Sequence, residues 1–307
     1  MTMTDHASSY VDMKRATGLS FVEQASILND FVSYAEAQGD EFIRVATVLD
    51  WVSQTPSQPR RVQKLHLVCG LARYLHVEDE RHEVPHRDTL GPGAYHRKPP
   101  HLLSLDEIGR LMNAALDLPP AGSITPHTMH TLIGLLAATG MRRSEAVKLR
   151  IRDLTEDGIE IRHAKFNKAR LVPLDDTVKK ALNSYLGKRG PGAPDDPLFI
   201  MPSGQSVKPN YLTDTFIRLA RSVGLRGAPG KPGPRLHDLR HSFATRVLTG
   251  LEANNQRDIS RHMLALSTYL GHTNIADTFW YLQTTPVLLE QISAATERLY
   301  LERKNHD

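Results

Sequence analysis

The stretch from residue 81 to 101 constrains the fold most. It holds Pro85, Gly91, Pro92, Gly93, Pro99 and Pro100, four Lys or Arg against two acids, and four histidines. Helical periodicity, present on both sides, fails there, so the chain is expected to fold as two bodies joined by a linker at 81–101. At 307 residues, each body is long enough to bury its own core.

Before the break, apolar residues recur at helical spacing in three series. From Leu19 they are Phe21, Ala25, Leu28, Val32 and Ala35, ending at Gly39; then Phe42, Ala46, Leu49 and Val52; then Val62, Leu65, Cys69, Ala72 and Leu75. Residues 1–80 therefore read as a small helical bundle. Its third helix opens with Arg60, Arg61 and Lys64, which are candidates for phosphate contact or for a solvated face. Cys69 is the sole cysteine, which excludes an internal disulfide, and its apolar series marks it as a buried thiol.

After the break, Ser104 and Glu107 stand at capping-box spacing before Ile108, Leu111 and Met112, so a second domain, 102–307, opens on a helix. It is expected to be largely helical with one exception. The segments 159–163 (IEIRH) and 169–174 (ARLVPL) have strand character and a short polar connection, a β-hairpin with Lys165 and Lys168 at its tip. The predicted class is mostly α with a small β-sheet.

A net charge of +4 and a pI near 9.1 favour a polyanionic partner. The N-terminal residues lack the basic start and apolar stretch of a signal peptide, and the longest clearly apolar run, 132–138, is too short to span a bilayer. No membrane association and a cytoplasmic location are expected.

Five segments carry the chemistry: ATGMRRSEAVKL (138–149), AKFNKARLVPL (164–174), RLHDLRHSFAT (235–245), LGH (270–272) and FWYL (279–282). Each is weak alone. Together they place Arg142, Lys165, His237, Arg240, His272 and Tyr281 in order, with His272 nine residues before Tyr281. Over about 104–290 this pattern resembles the tyrosine recombinase (lambda integrase) family.

The resemblance implies a DNA recombinase or integrase, of the kind mobile genetic elements use, with those six residues as its active site. It also implies a helical N-terminal core-binding domain, a catalytic α+β domain, double-stranded DNA as substrate and a homotetramer on two DNA sites. A phosphodiester undergoing in-line attack gathers negative charge on its non-bridging oxygens, and two guanidiniums, Arg142 and Arg240, suit that charge. Tyr281 would be the nucleophile and His237 its general base, with His272 bonded to the phosphate. Lys165 would protonate the leaving oxygen by register with the family's hairpin; Lys168 is the competing choice. No metal or other cofactor enters the scheme.

Further DNA-backbone contacts are expected from the acid-free segment 215–237, through Arg226, Lys231 and Arg235. Segment 286–307 carries an apolar stripe of Leu288, Leu289, Ile292, Ala295 and Leu299, to be packed on its own domain or docked on a neighbouring protomer. Accessory DNA-bending proteins or related recombinases are left open as partners. The alternatives are a type IB topoisomerase-like relaxing enzyme, a catalytically silent DNA-binding regulator, and a metal-dependent phosphohydrolase built on His237, Asp238 and His241. Glu145 is expected to serve its helix's first turn or to pair a nearby cation, with no chemical role.

Overall fold

The computed structural model describes residues 2–91, 99–162, 169–250 and 256–271, with side chains in the last span from Arg261 onward. The chain divides into two compact units, Met1–Lys98 and Pro99–Asp307.

Among its described residues the first unit has four helices: α1 (Met3–Ala16), α2 (Val22–Ala37), α3 (Val45–Ser53) and α4 (Gln58–His76). Three of these match the apolar series, and α1 is additional. Its start is fixed by a capping box in which Thr2 Oγ1 accepts from the Asp5 amide and Asp5 accepts from the Thr2 amide. Met3, Ala7, Tyr10 and Val11 face the core from one stripe, a spacing legible in the sequence. Leu28, Phe31, Leu65, Leu71 and Leu75 fill the centre, with Cys69 buried among them.

Residues 81–91 depart from a free linker. His82 is buried and its Nδ1 accepts from the Ile43 amide, while the Glu83 amide donates to the Ile43 carbonyl. Cys69 Sγ donates to the Pro85 carbonyl, Gln58 donates to the Leu90 carbonyl, and Val84 and Leu90 pack on the helical core. The composition misleads because this segment is held by hydrogen bonds to the α2–α3 loop and to side chains of α4, which Pro and Gly permit without a periodic apolar face.

The second unit opens on α5 (Leu105–Leu116), capped by Ser104 and Glu107 as their spacing predicts. Helix α6 (Thr125–Thr139) is buried on nearly all sides and packs against α5. The short α7 (Arg143–Ala146) leads into an antiparallel sheet of β1 (Leu154–Thr155), β2 (Gly158–Ile161) and β3 (Arg170–Pro173), in that order. The register pairs Ile159 with Val172 and Ile161 with Arg170, so the predicted hairpin is present with one extra strand. Its tip, with Lys165 and Lys168, lies outside the described residues. Helices α8 (Asp176–Arg189), α9 (Pro209–Ser222), α10 (Asp238–Thr249) and α11 (Gln256–Leu270) follow. No helix among the described residues is long and apolar enough to cross a membrane.

Candidate active site

Three turns build the site. At the first, α6 ends on Gly140 in the left-handed region (φ 60°), its amide closing onto Leu136. A Cβ at Gly140 would lie 2.4 Å from the ring of Phe243 on α10, so glycine is demanded by both dihedral and packing. This brings α6 and α10 together and presents the Gly140 carbonyl to Arg240, whose Nη1 donates to it at 2.8 Å. The other amino group of Arg240 donates to the Leu270 carbonyl at 2.8 Å. Arg240 is thus a buried cation, and both of these acceptors are neutral.

Arg142 sits at the N-cap of α7, two residues past Gly140. Glu145, almost fully buried, accepts from the Arg142 amide at 2.8 Å and from Arg142 Nη1 at 3.0 Å. Arg142 Nη2 donates to the Gly271 carbonyl at 2.6 Å, in the residue before His272. Glu145 also receives both amino groups of Arg170, at 3.0 and 2.7 Å. Burial alone would raise the Glu145 carboxyl pKa, but the Arg170 and Arg142 donors outweigh it and hold the group lowered and ionised.

His237 precedes α10, beside the same pocket, with its ring edge-on to His241 at 4.6 Å. Enclosure of the ring, then the charge of Arg240, push its imidazole down to about 4, while Asp238 opposes them. The nearby cations Arg235 and Arg142 add to this lowering. His237 therefore rests neutral, able to accept a proton. Asp238 is buried and committed to Arg235, accepting from its amide at 2.8 Å and its guanidinium at 3.1 Å. That pairing takes Asp238 away from the metal set considered with His237 and His241; no group of three metal-capable side chains occurs among the described residues.

Met141, Arg142, Arg143, Arg235, His237 and Arg240 line one cavity of about 450 Å³. The structure thus brings together three of the six predicted catalytic residues. Lys165, His272 and Tyr281 lie outside the described residues. Close by is a second tyrosine, Tyr269, stacked on Phe243 and near Arg170 and Arg240; burial pushes its phenol up to about 12. A phenol so hard to ionise is a poor nucleophile.

The cations proposed for DNA contact have internal partners in most cases. Arg60 pairs with Glu23 at 2.8 Å, Arg61 donates to the Thr55 carbonyl, and Lys64 lies 3.7 Å from Asp30 and 4.1 Å from the Trp51 ring centroid. Arg226 clamps its own loop through the Gly233 and Pro234 carbonyls. Lys231 is exposed, and Arg235 is half-exposed on the cavity rim. Lys168 lies outside the described residues.

Sequence reading gave Glu145 no chemistry and passed over Arg170. An arginine at the head of an otherwise apolar strand is the signal that marks Arg170: a charge at a buried strand position needs a partner.

The model of the phage integrase family matches residues 101–286. The chain belongs to that family. It is 36% identical over 314 residues to the putative integrase/recombinase y4rB of Sinorhizobium fredii, covering 98% of this chain and 99% of that one. It is 30% identical to the tyrosine recombinase XerD of Rhizobium meliloti, covering 91% of this chain and 80% of XerD. A crystal structure of the XerH site-specific recombinase bound to its palindromic difH substrate, in a post-cleavage complex, superposes with a TM-score of 0.65. Its identity is 23%, over 96% of this chain and 85% of that one, which shows the shared fold. The chain is accordingly a tyrosine recombinase, an enzyme that cleaves and rejoins DNA strands in site-specific recombination.

Proposed function

We propose that recombination runs through a 3′-phosphotyrosine on Tyr281. The phenolic oxygen attacks the scissile phosphorus, its proton passes to His237, and the bond from phosphorus to the 5′ oxygen breaks as Lys165 protonates the departing oxygen. The phosphotyrosine keeps the bond energy, so the 5′ hydroxyl of the partner strand displaces Tyr281 in the reverse sense, with His237 returning the proton. Arg142 and Arg240 hold the non-bridging oxygens, and His272 adds a hydrogen bond.

The observation that carries this reading is the convergence of Arg142, Arg240 and a neutral His237 on one cavity. Lys231 and Arg235 would meet the flanking DNA backbone, giving affinity without base choice. Two duplexes exchange four strands, and each protomer supplies one Tyr281, so the working assembly is a tetramer on two double-stranded DNA sites. Segment 286–307, outside the described residues, is the proposed protomer-to-protomer contact. We place the reaction in the cytoplasm, which suits a free buried Cys69 thiol.

A suicide DNA substrate drawn from the flanks of the gene tests the nucleophile. The native chain and Tyr269→Phe should both form a covalent protein–DNA adduct, whereas Tyr281→Phe should bind the DNA and form none. An adduct from Tyr281→Phe equal to the native one would refute the assignment.

A further inference from the structure

We propose that Arg170 is a positioning residue for strand cleavage: acting through Glu145, it fixes the Arg142 guanidinium and keeps its positive charge available to the phosphate. The proposal rests on Arg142 being a phosphate clamp.

The geometry is a carboxylate shared by two arginines. Glu145 Oε1 accepts from Arg142 Nη1 and Arg170 Nη1, both at 3.0 Å; Oε2 accepts from the Arg142 amide at 2.8 Å and Arg170 Nη2 at 2.7 Å. Four donors thus saturate a carboxylate with 3% of its side chain exposed. The fork from Arg170 is bidentate, one amino group to each carboxylate oxygen, which fixes the carboxylate's orientation toward Arg142.

Charge balance gives the arrangement its purpose. Glu145 facing Arg142 alone would form a neutral pair, and the clamp would meet a DNA phosphate without net charge. With Arg170 included, the triad is +1. Among the described residues, Arg142 gives one hydrogen of Nη1 to the carboxylate and one of Nη2 to Gly271, which leaves donors to face the substrate. Arg170 itself is 13% exposed, against 26% for Arg142, so it is the less accessible of the two.

Position adds a second role. Arg170 is the first residue of β3, paired with Ile161, five residues after Lys165 in the chain. Its guanidinium also lies against the turn before His272: a Cβ built on Gly271 would stand 3.0 Å from Arg170 Nη1 and 3.4 Å from Arg142 Nη1. Gly271 has φ 66°, so both dihedral and crowding keep this position glycine. One guanidinium therefore joins the strand that follows Lys165, the turn of Arg142 and the turn that leads to His272.

Single-turnover cleavage of the suicide substrate, with DNA affinity measured separately, tests the inference. Arg170→Met should slow cleavage at saturating DNA by about 10- to 100-fold, below the loss for a direct phosphate donor, and leave the half-saturating DNA concentration within about threefold. Arg170→Lys, which keeps the charge and loses the fork, should recover part of the rate. The decisive comparison is Glu145→Gln against Glu145→Gln/Arg170→Met. If Arg170 acts through the carboxylate, adding Arg170→Met to Glu145→Gln changes the rate by less than about threefold, and the double variant cleaves faster than Arg170→Met alone. This pair also removes the risk that Arg170→Met leaves a buried carboxylate short of two hydrogen bonds and misfolds. Native rates in Arg170→Met, or independent multiplication of the two effects, would overturn the proposal. Absence of an adduct from the native chain would instead overturn the reading beneath it.

Discussion

Two groups of cations in this molecule look alike in sequence and differ in how they are held. On α4, Arg60 and Lys64 each face an acid, Glu23 and Asp30, and Lys64 also covers the face of Trp51. At the α6–α10 junction, Arg240 donates to two backbone carbonyls, and Arg142 shares a single carboxylate with a second arginine. A carboxylate facing one cation cancels its charge at long range, whereas a carbonyl, or a carboxylate divided between two cations, fixes direction and leaves net positive charge in place. Only the second kind of holding builds a receptor for an anion. Local count of Lys and Arg is therefore a poor guide to where phosphate goes; the identity of their acceptors is a better one.

The largest effect should come from breaking the carbonyl-held site. Arg240→Lys keeps the charge but cannot span Gly140 O and Leu270 O while presenting donors to phosphate. Cleavage should fall by about 100- to 1,000-fold, the cost of losing one preorganised oxyanion donor. DNA affinity should fall far less, since most of it comes from backbone contacts elsewhere. A lysine variant within about threefold of the native rate would show that charge alone suffices and would dissolve the contrast.

Much of this arrangement is legible in the sequence. The hairpin was visible in the alternation of 159–163 and the apolar run of 169–174, and the α5 start in Ser104 and Glu107, because both are local patterns with a local cause. The order of Arg142, His237 and Arg240 marked the site. Helix α1 is legible too, in Thr2, Asp5 and its apolar stripe. What local patterns do not carry is the long-range pairing of polar groups. Residues 81–91 read as a linker because composition does not show that Ile43 and Cys69 supply partners. Arg170 and Glu145 stand 25 residues apart, and only tertiary structure reveals that they share two hydrogen bonds.

A moderate effect should appear in pH dependence. Enclosure of the ring together with the charges of Arg240, Arg235 and Arg142 holds His237 low, so its imidazole in the DNA-free protein should titrate near 4 rather than 6.5. The sign follows from linkage. The folded state binds fewer protons than the unfolded state between these values, so the stability from neutral His237 is complete above about 6.5. It is lost as pH falls from there through about 4. NMR titration of the His237 ring gives the midpoint, and His237→Gln should flatten that part of the stability profile. A midpoint at or above 6.5 would mean that water at the exposed ring edge screens the neighbouring arginines, and the junction would no longer differ from the surface of α4.

The smallest effect should come from Lys64. Lys64→Met keeps most of the stem over Trp51 while removing the ammonium from the ring and from Asp30. Unfolding should become easier by about 0.5–1 kcal/mol, the usual worth of a partly exposed cation–π contact. DNA affinity should change by less than about twofold, because an ammonium already spent on an acid and a ring has little left for phosphate. The salt dependence of binding is the sharper readout. A true phosphate contact lowers the slope of log K against log salt by about one on removal. An unchanged slope keeps α4 among the internally matched cations. A slope reduced by one would show that DNA displaces Asp30, placing Lys64 at the interface with Lys231 and Arg235 and making the acceptors seen without DNA exchangeable ones.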